Sequence, residues 1–382
     1  MFNLLTIIGA RPQIIKSIAI SRAIKERFGN TFKEYILHTG QHYDEKMSAV
    51  FFEELGISQP DYNLNVGGGS HAYQTGEMMK GIEKVLAERQ FDAMIVYGDT
   101  NSTIAGALVA AKANVPVVHV EAGLRSFDRR MPEELNRIAT DQISSLLFSP
   151  TETGLENLVK EGFREGVRQP DFKNGKDRRA FHCGDIMYDN SLYFSDKAES
   201  DKKTWFESLG LQPDYVLATV HRAENTDNAD VLRDIMEAIV SLSEDMQVVM
   251  PLHPRTSNAI KNLLSEDLRR KIYNSPGLKV TEPLSFLQIT MLEKHSKMIV
   301  TDSGGVQKEA YYFHKPSIVL REDTEWIENV RLGASALVGH DMTRIKAAFK
   351  HFKQHTPDFP YIYGDGHAAE FILEKMKDWL EN

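Results

Sequence analysis

Short aliphatic runs alternate with helical patterns along the chain, and this alternation limits the possible folds more than any other feature of the sequence. Residues 4–8 form an aliphatic run, and a helically spaced stretch follows at residues 14–24. An Ala-rich helical stretch, residues 103–113, separates the apolar runs at residues 94–97 and 115–120. Continuous apolar strands that alternate with helices are typical of a parallel sheet covered on both faces. We therefore predict an α/β protein with parallel sheets.

The same rhythm returns in the second half of the chain. Four further apolar runs each end in a polar loop, and they are residues 215–220, 247–250, 298–301 and 317–320. Residues 165–179, between the halves, are polar and lack an apolar period, so we expect a loop there. A chain of 382 residues is long enough for two domains. We predict an N-terminal domain (1–185), a C-terminal domain (186–365) and a final helix (366–382) that could pack back on the N-terminal domain.

The composition excludes several classes of protein. The net charge of −9 gives no basic footprint for nucleic acid. The single cysteine, Cys183, excludes an intrachain disulfide and a cysteine-based metal site, and the histidines lack zinc-type spacing. No apolar run approaches the ~18 residues that span a bilayer, and the first residues lack a signal-peptide pattern. We expect a cytoplasmic protein with no metal, no nucleic-acid partner and no membrane insertion.

Two loops that follow predicted strands have features of anion sites, because ligands of parallel sheets bind beyond the carboxyl ends of the strands. The turn at Gly9, with Arg11 and Lys16 after it, could bind an anion through backbone N–H groups and positive charge. It could equally be a strand–helix turn with two surface cations, and it lacks the G-x-G-x-x-G spacing of dinucleotide sites.

The second loop, Asp302-Ser303-Gly304-Gly305, is the better candidate for binding phosphate. Its serine can cap the next helix, and its glycines allow a diphosphate to approach the backbone closely. Glu309 lies further along that helix, where it could accept ribose hydroxyls or remain a solvated side chain. His221 and Arg222 follow another predicted strand and suit a leaving diphosphate, although an isolated histidine is more often a cap or core residue.

Carboxylates end two consecutive predicted strands, at Asp99 and Glu121. A carboxylate at the edge of an apolar sheet must be solvated, paired or functional. Asp99 could also simply cap the helix that follows it. Glu133 and Glu134 begin a further helix, where acidic residues suit the helix dipole, and we expect only one of them to face a site.

Eight of these segments occur in order along the chain. They are Gly9-x-Arg11-Pro12, Thr39-Gly40-Gln41-His42, Gly98-Asp99-Thr100, His119-Val120-Glu121-Ala122-Gly123-Leu124-Arg125, Pro132-Glu133-Glu134-x-Asn136-Arg137, His221-Arg222-x-Glu224-Asn225, Asp302-Ser303-Gly304-Gly305 and Arg321. Together they resemble the non-hydrolysing UDP-N-acetylglucosamine 2-epimerase family. The resemblance implies two Rossmann-like domains whose parallel sheets face a central cleft, the GT-B-like arrangement of many nucleotide-sugar glycosyltransferases. It also implies a UDP-sugar substrate, no cofactor and a homodimer.

The resemblance further implies a reaction and the residues that perform it. The family eliminates UDP as the C2 proton leaves, and UDP adds back while C2 is reprotonated from the opposite face, so acid/base groups must reach both faces of the sugar ring. Matching catalytic positions are Asp99, Glu121, Glu133 and His221, and which carboxylate serves which face stays open. Matching substrate-binding positions are Arg11, Lys16, Arg137, Arg222, Ser303, Gly304, Gly305, Glu309 and Arg321. Some family members also have an activating UDP-GlcNAc site, and three residues resemble part of it: Gln41, His42 and His253.

Three positions depart from the common bacterial pattern of this family. Gln13 stands where Glu is usual, and Ala223 stands where Arg is usual. The usual Thr-Glu-Arg-Pro-Glu is here Thr324-Glu325-Trp326-Ile327-Glu328, which is similar to the branch that acts on UDP-2,3-diacetamido-2,3-dideoxyglucuronate. The resemblance thus implies interconversion of UDP-GlcNAc and UDP-ManNAc for surface polysaccharide precursors, with the diacetamido uronate as the alternative substrate. A hydrolysing epimerase, a non-catalytic nucleotide-sugar sensor and a glycosyltransferase rank lower.

Overall fold

The chain folds into two compact units in the computed structural model, which describes residues 1–40, 59–166, 169–170, 177–199 and 202–382. Unit 1 comprises Met1–Asn190 and Tyr361–Asn382, and unit 2 comprises Ser191–Pro360. The chain therefore changes unit after residue 190 and again after residue 360. The two boundaries predicted from the sequence follow residues 185 and 365.

Unit 1 is built on one sheet whose strands are almost all parallel. Its strands are β1 (Phe2–Ile8), β2 (Phe32–His38), β3 (Tyr62–Asn63), β4 (Ala93–Tyr97), β5 (Val117–Val120), β6 (Leu146–Ser149), β7 (Gln169–Pro170) and β8 (Asp177–His182). They lie in the order β3-β2-β1-β4-β5-β6-β8-β7, and among these described strands only the edge pair β7–β8 is antiparallel. The strand order reverses between β1 and β4, which is where sheets of this kind bind ligands.

The helices of unit 1 cover both faces of this sheet. They are α1 (Arg11–Ala23), α2 (His71–Glu88), α3 (Asn101–Lys112), α4 (Pro132–Ile143) and α5 (Glu152–Lys160), with α6 (Ile186–Ala198) leading into unit 2. A π-helical turn, Ile24–Phe28, continues α1. One continuous apolar cluster joins β1, β4 and their neighbours to α2 and α3, and it includes Leu5, Met94 and Ile82. Burial of such side chains, at about 1.5–3 kcal/mol each, explains why the central strands β1 and β4 are largely apolar.

The polar stretch at residues 165–179 was expected to be a loop, and this expectation is wrong at its C-terminal end. β8 begins at Asp177 and lies parallel to β6. Its charged residues fit a strand because Arg178 donates to the backbone carbonyls of Ser144 and Asp141, both at 2.9 Å, and lies over the Phe163 ring at 4.5 Å. A strand near the edge of a sheet can therefore be stabilised by an arginine, and a search for apolar runs does not find such a strand.

The final helix, α16 (Ala368–Glu381), packs within unit 1. Its first N–H groups, on Ala368 and Ala369, donate to the Asp189 carboxylate at 3.1 and 2.8 Å. At its other end the buried Trp379 indole donates to the Asp177 carbonyl. Burial raises the pKa of Asp189 to about 6, although the two backbone hydrogen bonds oppose the shift. Asp189 thus caps this helix at some electrostatic cost.

Unit 2 is built on a second, fully parallel sheet. Its strands are β9 (Tyr215–Thr219), β10 (Gln247–Pro251), β11 (Leu278–Thr281), β12 (Met298–Thr301), β13 (Ser317–Val319) and β14 (Ser335–Leu337). Their order is β11-β10-β9-β12-β13-β14. The helices are α7 (Lys202–Leu209), α8 (Ala223–Thr226), α9 (Ala229–Ser243), α10 (Pro254–Leu263), α11 (Glu266–Asn274), α12 (Phe286–His295), α13 (Gly304–Tyr312), α14 (Ile327–Arg331) and α15 (Met342–Gln354).

The prediction of an α/β protein with two parallel sheets is confirmed. In unit 2 the reversal of strand order lies between β9 and β12, so the loops that begin at residues 220 and 302 are neighbours. Within the described ranges, no helix combines the length and the apolarity needed to cross a bilayer.

Candidate active site

The loops after β4 and β5 bring two predicted carboxylates together in unit 1. Tyr97 pairs with Val120, so Asp99 and Glu121 follow adjacent strand ends. The Gly98 N–H donates to the Val120 carbonyl at 2.9 Å and fixes the two loops to each other. Gly98 has φ of +62°, and a Cβ added there would lie 3.5 Å from Glu121 Oε2. The positive φ therefore accounts for the glycine in this turn, since a Cβ there would make only ordinary contact with the glutamate.

Glu121 is held in a strained conformation by a cation and by its own backbone. Its φ of +75° lies in the left-handed region, which costs a non-glycine residue about 1–3 kcal/mol. The Glu121 and Ala122 N–H groups both donate to the Phe148 carbonyl at 3.0 Å. The Glu121 carboxylate forms an ion pair with Lys16 of α1, and both side chains are largely buried. Lys16, expected to bind phosphate, thus pairs with a predicted catalytic carboxylate.

Asp99 has a corresponding partner on α4. Its carboxylate pairs with Arg137, which also donates to Glu134 at 3.0 Å. The Asn136 side-chain amide donates to the Asp99 backbone carbonyl at 2.9 Å. Arg137, which was expected to bind substrate, lies between these two carboxylates. The first turns of α4 therefore hold Asp99 by both its backbone and its side chain.

Glu133 and Glu134 have different environments, although they are adjacent on α4. Glu134 is buried and accepts the N–H groups of Ser126 and Phe127 at 2.9 and 3.0 Å. It thereby fixes the loop between β5 and α4, in which Phe127 has φ of +60°. Glu133 is exposed. Of the two, only Glu133 presents its carboxylate to solvent, as required of an acid/base group.

The turn at Gly9 is closed by a side chain of its own helix. The Gly9 and Ala10 N–H groups both donate to Gln13 Oε1 at 3.0 Å. Gln13 Nε2 in turn donates to the Tyr97 carbonyl at 2.8 Å and to Thr103 at 3.0 Å. These two backbone N–H groups are therefore already bound, and the structure favours the simple strand–helix turn over an anion cradle. It also explains the departure at Gln13, since an ionised glutamate cannot donate to a carbonyl.

Arg11 and Gly9 occupy the two sides of this turn. Arg11 is the first residue of α1 and is exposed. A Cβ on Gly9 would lie 2.2 Å from both Ser102 Oγ and Thr39 Oγ1. The two hydroxyls are hydrogen-bonded to each other at 2.8 Å, so neither is free to move away. The glycine is thus required by close packing between β1 and α3.

In unit 2 a buried carboxylate organises the loop that carries His221. Asp302 accepts the N–H groups of His221 and Arg222, each at 2.9 Å, and the Asn225 amide at 3.1 Å. The His221 ring is more than a third exposed, and its Nδ1 lies 3.3 Å from Asp302 Oδ1. Its centroid is 5.5 Å from that of the His253 ring. Partial burial lowers the pKa of His253, and the nearby charges of His221 and Arg255 lower it further.

The predicted phosphate loop begins α13. Ser303 Oγ accepts the Val306 N–H at 3.4 Å, which confirms the expected cap. A Cβ on Gly304 would lie 3.6–3.9 Å from Glu325 Oε2, Trp326 Nε1 and Arg222 Nη2. Gly305 is exposed. The first turn of this helix is therefore surrounded by one anionic group and two N–H donors.

Arg321 extends the same cluster. It is mostly buried and donates to Glu325 at 2.9 and 3.1 Å and to the exposed Asp323 at 3.1 Å. Glu325 also lies 4.0 Å from Arg222. Burial opposes ionisation of Glu325, but the hydrogen bond and charge of Arg321 hold its pKa below the usual value. The Trp326 indole donates to the Gly304 carbonyl at 2.9 Å, so the divergent segment packs directly on α13.

Glu309 of α13 lies beside a second carboxyl group, that of Glu293 in α12. Glu293 is fully buried. Burial raises its pKa well above the usual value, and the neighbouring Glu309 raises it further. The two carboxyl groups therefore disfavour each other's ionisation, and burial adds to this effect at Glu293.

Three groups of residues remain: predicted residues that the structure does not describe, possible metal ligands, and residues that were not predicted. Gln41 and His42 lie outside the described residues. Among the residues that are described, no group of three or more His, Cys, Asp or Glu could hold a metal ion. Sequence reasoning assigned no role to Asp302 or Glu134, although both lie inside motifs that it singled out. Two sequence features could have indicated them: Asp302 directly follows a buried strand, and Glu134 lies in the first turn of a helix that begins with Pro132.

Comparison with known proteins agrees with this geometry. The family model described as UDP-N-acetylglucosamine 2-epimerase matches residues 23–377. A UDP-N-acetylglucosamine 2-epimerase homolog from Methanococcus maripaludis is 44% identical, over 98% of this chain and 99% of its own. The UDP-2,3-diacetamido-2,3-dideoxy-D-glucuronate 2-epimerase of Pseudomonas aeruginosa is also 44% identical, with the same coverage. The solved UDP-GlcNAc 2-epimerase of Methanocaldococcus jannaschii has a TM-score of 0.85 and 40% identity, covering 98% of this chain and 99% of its own.

The two parallel α/β units and these matches define an isomerase, a UDP-sugar 2-epimerase. The chain belongs to the UDP-N-acetylglucosamine 2-epimerase family. The resemblance found in the sequence motifs is thereby confirmed, as is the enzyme class.

Proposed function

We propose that this enzyme is a non-hydrolysing epimerase that interconverts UDP-GlcNAc and UDP-ManNAc for surface polysaccharide precursor synthesis. The observation that carries the proposal is the pair of held carboxylates at adjacent strand ends. Asp99 pairs with Arg137, and Glu121 pairs with Lys16. A solved M. jannaschii relative, 40% identical, is described as a complex with UDP-GlcNAc and UDP, which supports this substrate.

In this proposal unit 1 supplies the acid/base chemistry. A carboxylate takes the proton from C2 while the bond from C1 to the phosphate oxygen breaks, and a C1–C2 double bond forms. UDP then adds back to C1 while an acid delivers a proton to the opposite face of C2. Asp99, Glu121 and the exposed Glu133 are the three groups assigned to these transfers. The ion pairs on Asp99 and Glu121 fix the positions of the carboxylate oxygens, which proton transfer requires.

Unit 2 binds UDP in this proposal. The first turn of α13 accepts the diphosphate at Ser303, Gly304 and Gly305, because helix N-termini present N–H groups and positive potential. Arg222 and Arg321 add charge-assisted hydrogen bonds, and Arg11 and Lys16 remain assigned to the substrate by family resemblance. Glu309 accepts the ribose hydroxyls, and His221 lies at the leaving phosphate.

The proposal is tested by identifying the products formed from UDP-GlcNAc. NMR spectroscopy of the mixture should show UDP-ManNAc at equilibrium with UDP-GlcNAc and no stoichiometric release of UDP. Release of UDP and free ManNAc would instead identify a hydrolysing epimerase. Binding without turnover would identify a nucleotide-sugar sensor, and sugar transfer to an acceptor would identify a glycosyltransferase.

A second substrate, UDP-2,3-diacetamido-2,3-dideoxyglucuronate, is favoured by one feature of the chain. The segment with Trp326 is similar to that branch, and the P. aeruginosa relative that bears this activity in its name is 44% identical. Incubating the enzyme with both UDP-sugars in parallel distinguishes the two. A kcat/KM more than about tenfold higher for the diacetamido uronate, or ~1.4 kcal/mol of transition-state preference, would replace UDP-GlcNAc as the proposed substrate.

We also propose a homodimer, which the family resemblance implies. Light scattering coupled to gel filtration should give twice the chain mass of 43.3 kDa. A single-chain mass across the concentration range of the activity assay would overturn this proposal.

A further inference from the structure

A fully buried histidine and a fully buried aspartate lie behind the two held carboxylates of unit 1. His119 is in β5, and Asp141 is in α4. His119 Nδ1 lies 2.7 Å from Asp141 Oδ1, and His119 Nε2 lies 2.7 Å from the Gly98 carbonyl oxygen. Neither residue was assigned a role from the sequence.

The partners of the His119 ring determine its charge. A carbonyl oxygen only accepts, so Nε2 carries a proton. Asp141 Oδ2 accepts from the Arg125 guanidinium and from the Gly123 N–H, and these donors favour the ionised carboxylate. An ionised carboxylate also only accepts, so both ring nitrogens of His119 face acceptors. The contacts of the ring are therefore those of an imidazolium beside a carboxylate.

Asp141 has further contacts that extend this pair. Its Oδ2 accepts from Arg125 at 2.6 Å and from the Gly123 N–H at 3.2 Å. Arg125 itself is held by Glu161 through two hydrogen bonds of 2.7 Å. The carboxylate of Asp141 thus joins α4 to both β5 and the loop that follows it.

The positions of these contacts relate the pair to both proposed acid/base groups. Gly98, whose carbonyl accepts from His119, directly precedes Asp99. His119 and Gly123 lie on either side of Glu121, two residues away in each direction. Glu121 itself adopts a left-handed backbone, which persists only when its surroundings over-determine it. One buried ion pair therefore fixes the backbone at both carboxylates.

We propose that His119 and Asp141 are positioning residues for the 2-epimerase reaction, aligning Asp99 and Glu121 for proton transfer at C2. The proposal rests on the proposed function of these two carboxylates. Neither residue touches substrate in this scheme. They act through the backbone of Gly98 and Gly123, and the imidazolium supplies two donors that no neutral histidine tautomer provides.

The test compares His119→Gln with a matched control, Val118→Ala. Val118 is the neighbouring residue of β5 and is equally buried, so its truncation weakens the same strand without removing a contact to Gly98 or Asp141. His119→Gln should lower kcat at least roughly 100-fold, the effect of misplacing a reacting group by about 1 Å. The KM for the UDP-sugar should change less than about threefold, since the phosphate loop at Ser303, Gly304 and Gly305 is in unit 2. Val118→Ala should retain kcat within about threefold.

Two further measurements separate positioning from a general loss of structure. Asp141→Asn should lower kcat as much as His119→Gln, and the double variant should be no worse than either, because the two residues act as one unit. Nitrogen-15 NMR of the wild-type enzyme should show both ring nitrogens of His119 protonated at the assay pH. Equal kcat losses in His119→Gln and Val118→Ala, additive losses in the double variant, or a neutral His119 ring would overturn the proposal.

Failure of the proposed function gives a different result from failure of this inference. If the wild-type enzyme epimerises neither UDP-sugar, the proposed function fails, and the NMR measurement alone then decides whether the buried ion pair exists. If the wild-type enzyme is active and His119→Gln retains full kcat, only the positioning role fails.

Discussion

Replacing Asp302 by alanine should loosen the loop that carries His221, and the expected magnitude follows from the hydrogen bonds lost. Asp302 is fully buried and accepts from the His221 and Arg222 backbones and from the Asn225 amide. Each buried donor left without an acceptor costs ~1–3 kcal/mol. Three donors predict a loss of at least about 3 kcal/mol in the free energy of local opening.

Hydrogen–deuterium exchange with mass spectrometry measures this loss in the intact enzyme. Peptides that span residues 215–225 and 298–305 should exchange roughly 100-fold faster in Asp302→Ala, since ~1.4 kcal/mol is a tenfold change in an equilibrium constant. Peptides of unit 1 serve as the internal reference. Asp323→Ala is the matched control, because its carboxylate is 90% exposed, and such contacts contribute less than about 1 kcal/mol.

A graded variant strengthens this test. In Asp302→Asn one oxygen remains to accept from the backbone, so the loss should be smaller than in Asp302→Ala, about 1–2 kcal/mol. Exchange within tenfold of wild type, or ~1.4 kcal/mol, in Asp302→Ala would refute the reasoning. It would mean that the loop is held by contacts other than this carboxylate.

Four further outcomes are expected. Asp99→Asn and Glu133→Gln should each abolish turnover while the Kd for UDP, measured by calorimetry, changes little; normal turnover in either would contradict its assignment. Glu325→Gln should tighten UDP binding up to about tenfold, or ~1.4 kcal/mol, because an amide competes less for Arg321; unchanged or weaker binding would argue against competition. Gln13→Glu should lower the free energy of unfolding of unit 1 by about 1–3 kcal/mol at pH 7, since a carboxylate then faces the Tyr97 carbonyl. Urea titration should show that this loss becomes smaller towards acid pH, where the glutamate is protonated and can donate. A loss that stays constant with pH would contradict this explanation. The native pKa of Asp189 is raised from 3.8 to about 6, so the native state binds this proton more tightly than the unfolded chain. The free energy of unfolding should therefore fall as pH rises from 4 to 6, by up to about 3 kcal/mol from this group. If the stability difference between wild type and Asp189→Asn does not change with pH, this prediction is contradicted.

The positions of many strands could be predicted from the sequence, because buried parallel strands are mostly apolar. The run at residues 94–97 corresponds to Ala93–Tyr97, and the run at 298–301 corresponds to Met298–Thr301. β8 begins with charged residues and escaped this pattern. Its Arg178 donates to the carbonyls of Ser144 and Asp141, which no local periodicity records.

The candidate site residues could be named from the sequence, but their partners could not. Lys16 and Glu121 are 105 residues apart in the chain, and Arg137 and Asp99 are 38 apart. Which cation binds phosphate and which binds a carboxylate depends on tertiary packing alone. The buried pair of His119 and Asp141 was missed for the same reason, since nothing in either local sequence indicates that the two side chains meet.

A 2-epimerase that moves a proton at C2 of a UDP-sugar must exchange that proton with solvent. Deuterium incorporation from heavy water, followed by proton NMR, measures this exchange. The C2 proton signal should disappear from both UDP-GlcNAc and UDP-ManNAc, with one deuterium at C2 of each. Formation of UDP-ManNAc with retention of the original C2 proton, or no exchange with either this UDP-sugar or the diacetamido uronate, would contradict proton transfer at C2.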